Sequence, residues 1–337
     1  MPRVSVVIPS YNHAAFLDEA VRSVLAQTLT DLQLIVVDDG STDDSLQRLQ
    51  AIQDPRLRVV AQANQGAHAA LNAGLALAGG ALLAVLNSDD AYHPERLARA
   101  ASALDGAPDV GLVGSWIEVV DTGGRQLGIK HGARDLPPWP LAHAARSFRA
   151  GNDLRAALLT ENFWSTTSNF VMRRTLWERL GGFRPLRFTH DWDLALRAVA
   201  VAPSLLLPEA LLRYRVHDRN TIRADRTGMV FEICWCLAVH LPHHLADAAW
   251  AAAAPSHTRV EQLLHSIHTF GCDRVLSVML LERLHERPDA ALALLDPADA
   301  RRAHYLALIE ETLATTPPAP ARGLFRRLKR GPLKADR

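Results

Sequence analysis

Apolar residues recur along this chain in two alternating rhythms. Residues 4–8 (VSVVI), 32–37 (LQLIVV), 57–60 (LRVV) and 82–86 (LLAVL) are short runs, apolar on both parities, which is how strands covered on both faces read. Between them Phe16, Leu17, Ala20, Val21, Val24 and Leu25 fall at helical spacing, and residues 67–78 (AHAALNAGLALA) form an Ala-rich helix closed by Gly79 and Gly80. Strand alternating with helix predicts an α/β fold: a doubly wound, mostly parallel sheet with helices on both faces.

Past residue 110 the same sheet is extended. Strands are expected at 110–120, 168–172 and 211–216, with one helix from about 174 and another opened by His190-Asp191-Trp192-Asp193 and running to Val201. Residues 121–145, bearing Gly, Pro and His, predict a long functional loop. Residues 228–250, 258–285 and 298–314 have helical periodicity with no strand between them, so a helical C-terminal region follows. Three units result: 1–222, 223–316, and a Pro-rich then basic tail, 317–337.

In a doubly wound sheet, ligands collect at the carboxyl ends of the strands. Three predicted strands end there in polar residues: Pro9-Ser10-Tyr11-Asn12, Asp38-Asp39-Gly40-Ser41 and Asn87-Ser88-Asp89-Asp90. Any one of these clusters can be a turn or a helix cap. Three delivered to one edge point to a site. Adjacent carboxylates at Asp89 and Asp90 are costly unless water, a hydrogen-bond network or a cation compensates them, so this stretch asks for a metal.

Composition changes the picture little. A chain of 337 residues with 48% hydrophobic residues can bury a substantial core, and 37 Lys and Arg against 36 Asp and Glu give no global field for nucleic acid. Cys234, Cys236 and Cys272 are few and lack the spacing of a closed zinc site, which fits a reducing, cytoplasmic compartment. The apolar run after Met1-Pro2-Arg3 is too short for a signal peptide, and no segment offers the ~20 apolar residues of a membrane span.

In order, "VSVVIPSYNHAAFLDEAVRSVLAQT", "LIVVDDGSTDDS", "NQGAHAALNAGLALAGG" and "LNSDDAYHPERL" resemble the family 2 glycosyltransferases of the GT-A fold, and "LGGFRP", "HDWDLALR" and "YRVH" continue the match to residue 217. The resemblance implies non-processive, inverting transfer of a sugar from a nucleotide-diphosphate sugar, a UDP-sugar being favoured, to a hydroxyl of a saccharide or lipid-linked saccharide acceptor. Cell-surface polysaccharide or glycolipid biosynthesis is the implied setting, and Mg²⁺ or Mn²⁺ the implied cofactor.

Carried over by position, Pro9 and Tyr11 line the base and ribose, and Asp39 accepts a hydrogen bond from the base. Asn64, Gly66 and Asn72 belong to a segment near the nucleotide. Asn87-Ser88-Asp89 stands on the family's Asp-x-Asp motif, with Asn87 and Ser88 toward the donor and Asp89 as metal ligand. His217 falls where a histidine approaches the metal or diphosphate, and Asp191 falls on the general base. Asp90 is expected to support the loop.

Three positions depart from the family pattern: Asn87 replaces an aspartate, His190 a glutamate, and Leu71 an arginine. They keep open a catalytically silent nucleotide-sugar-binding protein. A sugar-1-phosphate nucleotidyltransferase is a further alternative, although no Gly-rich, Lys- or Arg-bearing phosphate loop follows the first strand. Asp191 could instead cap its helix. Phe163, Trp164 and Trp139 could stack on acceptor sugars or pack in the core. Arg326, Arg327, Lys329 and Arg330 beside Leu324, Phe325 and Leu328 suggest peripheral contact with an anionic membrane, or a disordered basic tail.

Overall fold

The structure is a computed structural model that describes residues 1–130, 158, 162–218, 220, 225–245 and 273–315. Strands β1 (Val4–Ser10), β2 (Leu32–Asp38), β3 (Leu57–Ala61) and β4 (Leu82–Val85) alternate with helices α1 (Ala14–Leu25), α2 (Ser45–Gln50) and α3 (Ala67–Leu77). Then come β5 (Ala91–Tyr92), α4 (Arg96–Gly106), β6 (Leu112–Val120), β7 (Gln126–Lys130), β8 (Val171–Arg173), α5 (Arg174–Leu180), α6 (His190–Val201) and β9 (Ser204–Arg215). Helices α7 (Arg226–Leu245), α8 (Asp273–Leu281), α9 (Pro288–Ala293) and α10 (Ala300–Thr315) follow.

The sheet runs β3-β2-β1-β4-β8-β6-β9-β5, with β7 paired to β6. The long pairings, β1 with β2 and β4, β2 with β3, and β6 with β9, are parallel. The short strands β5, β7 and β8 pair antiparallel. Alternating side chains explain why the first strands are apolar on both parities. Val7, Ile35 and Val37 join one core with α3, α6 and the C-terminal helices, while Val6, Ile8, Leu34 and Val36 join another with α1 and α4. The exception is β3, which is half-buried because it forms the free edge of the sheet.

The expected long loop begins instead as the β6–β7 hairpin, and the expected strand at 168–172 is a 3₁₀ turn, Thr167–Asn169, followed by the short β8. Strand β9 starts seven residues earlier than its apolar signal at 211, because its first half is only partly covered. Phe163 and Trp164 are buried, so they pack in the core; they are not exposed for acceptor stacking. Trp139, Cys272 and the basic tail lie outside the described residues.

The C-terminal helices are continuous with the core on the α3 side of the sheet. Phe231, Trp235, Met279, Tyr305 and Ile309 share it with Leu71, Leu75 and Leu194. The contact includes a buried charge cluster: Asp193 of α6 accepts from Arg184 Nη1 at 2.8 Å, Arg197 Nη2 at 2.7 Å and His240 Nε2 of α7 at 2.8 Å. Burial alone would raise the Asp193 carboxyl, but the His240 hydrogen bond and the two guanidinium groups hold it well below the usual carboxylate range. Leu71, where the family commonly has arginine, is here a core residue.

Candidate active site

The carboxyl ends of β1 and β2 are locked to one another. Asn12, in the left-handed region at φ 53°, accepts at Oδ1 from Thr42 N–H at 2.7 Å, and its own N–H donates to Ser41 Oγ at 3.0 Å. Asp43 accepts from the Ala14 N–H at the start of α1, at 3.1 Å. Gly40 has φ 76°, and a Cβ there would lie 2.9 Å from the Asn64 nitrogen, so glycine lets the β2 loop pass the β3 loop.

Of the residues expected at the nucleotide, Tyr11 is 46% exposed above this edge, while Pro9 is buried within β1 opposite Val37. Asp39 is a loop organiser: it accepts from Gln62 Nε2 at 2.8 Å, Gln65 N–H at 2.9 Å and Gly66 N–H at 2.8 Å, where α3 begins. Asn64 is exposed on that loop. Asn72 is turned away from it; both ends of its amide bond the backbone of Phe183.

At the end of β4 the four polar residues separate into distinct tasks. Asn87 donates from Nδ2 to Thr166 Oγ1 at 3.0 Å and accepts at Oδ1 from Thr167 Oγ1 at 2.7 Å, so its side chain faces the 3₁₀ turn. Ser88 is buried with its Oγ 2.7 Å from His13 Nδ1. Asp90, also buried, accepts from Ser168 Oγ at 2.6 Å and from the Arg215 N–H at 3.0 Å. Burial, and then the charge of Asp89, pushes the Asp90 carboxyl well above the carboxylate range.

Asp89 is the member left facing the site. Its Oδ2 is 3.0 Å from His217 Nε2. Burial would raise its carboxyl, but the His217 hydrogen bond and the nearby His13 hold it low. The His217 ring stacks on Phe16 at 5.1 Å and meets the His13 ring edge-on at 6.0 Å. Ligand atoms of His13, Asp89 and His217 all lie within 4.8 Å of one another, the kind of convergence that suits a divalent ion. Arg215 fixes the approach: its Nε donates to Asp89 O at 3.0 Å, and its Nη2 to Glu19 at 2.6 Å.

Asp191 lies in the first turn of α6, buried at 7% exposure. Thr189 is the cap residue, so Asp191 is inside the helix; its Oδ1 accepts from Trp192 N–H at 2.7 Å and its Oδ2 from Asn162 Nδ2 at 3.1 Å. The ring of His190 meets Phe183 edge-on at 5.9 Å. The negative charges of Asp90, Asp89 and Asp191 all reach the Tyr214 hydroxyl, which burial and those charges push far up.

Sequence reasoning missed His13, Asn162, Arg215 and the Thr166–Ser168 turn. His13 had a signal, since it directly follows a strand-end cluster. The others had none, because only tertiary contact reveals what their side chains hold.

Comparison with known proteins places the chain in a family and a fold. Residues 5–192 match Glycosyl transferase family 2. An uncharacterized glycosyltransferase of Nostoc sp. is 31% identical over 226 residues, covering 65% of this chain and 66% of the relative. Chondroitin synthase of Escherichia coli is 28% identical over 228 residues, covering 66% of this chain but 30% of that protein. Succinoglycan biosynthesis protein ExoO of Rhizobium meliloti is 39% identical over 128 residues, 38% of this chain and 36% of ExoO. The matches thus span about two thirds of these relatives or less.

Among solved structures, S. aureus TarS 1–349 in complex with UDP-GlcNAc superposes with a TM-score of 0.55 at 19% identity, covering 93% of this chain and 91% of that one. The mannosyltransferase PcManGT from Pyrobaculum calidifontis, in complex with GDP-Man and Mn²⁺, gives 0.51 at 22% identity, covering 94% and 81%. With its sheet edge, its motifs and this shared architecture agreeing, the chain belongs to glycosyl transferase family 2 and has the GT-A fold.

Proposed function

We propose that the protein transfers a sugar, with inversion, from a nucleotide-diphosphate sugar to an acceptor hydroxyl in cell-surface polysaccharide or glycolipid biosynthesis. Residues 1–222 are the catalytic unit, and the described helices of 223–316 buttress it. The observation that carries the reading is the convergence of Asp89 and His217 at the carboxyl edge of the sheet, with Oδ2 and Nε2 3.0 Å apart. The names of the relatives favour polysaccharide synthesis, and the bound molecules of the structural neighbours favour a nucleotide-sugar donor, UDP-linked as with TarS.

Tyr11 offers an exposed aromatic face to the base, and Asp39, which organises the β3–α3 loop, is bonded through its N–H to Ser10 at the same sheet edge. Asp89 and His217 fit Mg²⁺ or Mn²⁺ as a carboxylate and an imidazole converging at 3.0 Å. When bound, the ion neutralises the diphosphate leaving group. Asp191 uses two of about four carboxylate lone-pair sites on Trp192 and Asn162, which leaves capacity for an acceptor O–H. Asp191 takes that proton as the oxygen bonds to the anomeric carbon; the bond from that carbon to the phosphate oxygen breaks, and its electron pair leaves with the nucleoside diphosphate.

Among the described residues no helix is long and apolar enough to cross a membrane. Action on the cytoplasmic face, with the basic tail against anionic lipid, is part of the proposal. A screen of nucleotide sugars by thermal shift and donor hydrolysis tests it. Binding and metal-dependent turnover of one donor are expected; no response to any donor rejects the reading. Binding without hydrolysis or transfer would favour the silent binder, which the amide at Asn87 keeps in play.

A further inference from the structure

We infer that His13 is a third ligand of the cation site, making it a two-imidazole, one-carboxylate site that selects Mn²⁺ over Mg²⁺. The inference rests on the metal-dependent reading above and extends it to a residue outside the Asp-x-Asp motif. Three observations on separate elements meet here. His13, at the start of α1, Asp89, after β4, and His217, after β9, bring their ligand atoms within 4.8 Å of one another. The 3.0 Å between Asp89 Oδ2 and His217 Nε2 matches two ligands at right angles with bonds of roughly 2.1 Å, which span about 3.0 Å.

His13 is also held as ligating histidines are. Its Nδ1 is 2.7 Å from Ser88 Oγ, so Ser88 fixes the ring by one nitrogen and leaves Nε2 for the ion. The edge-on contact with the His217 ring and the stacking of His217 on Phe16 restrict both imidazoles.

The donor set then decides the metal. The amide at Asn87 is spent on Thr166 and Thr167, so strand β4 supplies one carboxylate instead of two. Mg²⁺ prefers oxygen ligands and gives up water reluctantly, whereas first-row transition ions accept imidazole readily and increasingly from Mn²⁺ to Co²⁺. Replacing a carboxylate by a histidine therefore moves the site away from Mg²⁺.

Calorimetric binding of Mn²⁺ and Mg²⁺ to the full chain, without nucleotide, tests this in wild type, His13→Ala, His13→Gln, Ser88→Ala and Asp89→Asn. Wild type is expected to bind Mn²⁺ at least about tenfold tighter than Mg²⁺. His13→Ala should lose about tenfold or more in Mn²⁺ affinity with little change for Mg²⁺, and Ser88→Ala should fall between. Co²⁺ gives a second readout, since loss of one imidazole alters its visible absorption band. His13→Gln, which keeps a polar partner for Ser88, serves if the alanine variant does not fold. Unchanged Mn²⁺ affinity in the His13 variants, with loss in Asp89→Asn, overturns the third ligand alone. Wild-type affinity in Asp89→Asn, or no Mn²⁺ binding by wild type, removes the cation site as well.

Discussion

Asn72 and Phe183 form a two-point clamp: Asn72 Oδ1 accepts the Phe183 N–H at 2.9 Å, and Nδ2 donates to the Phe183 carbonyl at 2.9 Å. The clamp ties α3, which begins at the nucleotide edge, to the loop that leads into Asp191 on α6. Asn72→Ala would leave two backbone groups without partners, at a cost of about 1–3 kcal/mol. A lower midpoint in chemical denaturation is expected, with donor affinity little changed. A large loss of donor affinity at full stability would assign Asn72 to the nucleotide instead.

Asp191→Asn separates a base from a structural residue. Transfer should fall by about 10²- to 10⁴-fold while calorimetric donor binding survives. One amide oxygen cannot serve both Trp192 N–H and Asn162 as the carboxylate does, so a modest loss of stability should accompany it. Near-wild-type transfer would reject Asp191 as the base.

Asp89→Ala should abolish turnover, as should excess chelator, because Asp89 is the carboxylate that faces the site. Asn87→Ala should behave differently. It loses its bonds to Thr166 and Thr167, worth about 0.5–1.5 kcal/mol each, and keeps much of its activity. Comparing kcat and unfolding midpoints for the two variants checks the division of labour within one motif.

Tyr11→Ala should weaken donor binding without destabilising the fold, since the ring is 46% exposed and loses little burial. Equal donor affinity in the variant would remove Tyr11 from the site.

Acid should loosen the junction between α6 and α7 first. Burial lowers the His240 imidazole from its usual range, and Asp193 is held low by His240, Arg197 and Arg184 against its own desolvation. Both groups bind protons more readily when unfolded. Their stabilisation is therefore full above the unfolded histidine value near 6.5, starts to fall as pH drops through it, and falls again below the unfolded aspartate value of about 3.9. Asp193→Asn should cost about 3–5 kcal/mol, because the arginines lose a buried partner. Unfolding midpoints measured from about pH 8 to about pH 3 on both proteins test the sign.

The sequence by itself determined the alternation of strand and helix, the edge where ligands gather, and the family, because those depend on local periodicity and on residue types at strand ends. It also marked Asp89, through the adjacent carboxylates at a strand end, while His217 and Asp191 were pointed to only by the family resemblance. Only tertiary structure decided what neighbouring residues do. Asn87, Ser88, Asp89 and Asp90 are consecutive, yet one faces a 3₁₀ turn, one a histidine, one the site and one a buried serine and backbone N–H. Asn72 proved a clamp, Trp164 a core residue and His13 a neighbour of His217 for the same reason. Hydrogen-bond partners 80 or more residues away leave no periodic trace in the chain, so their roles exist only once the sheet has brought them together.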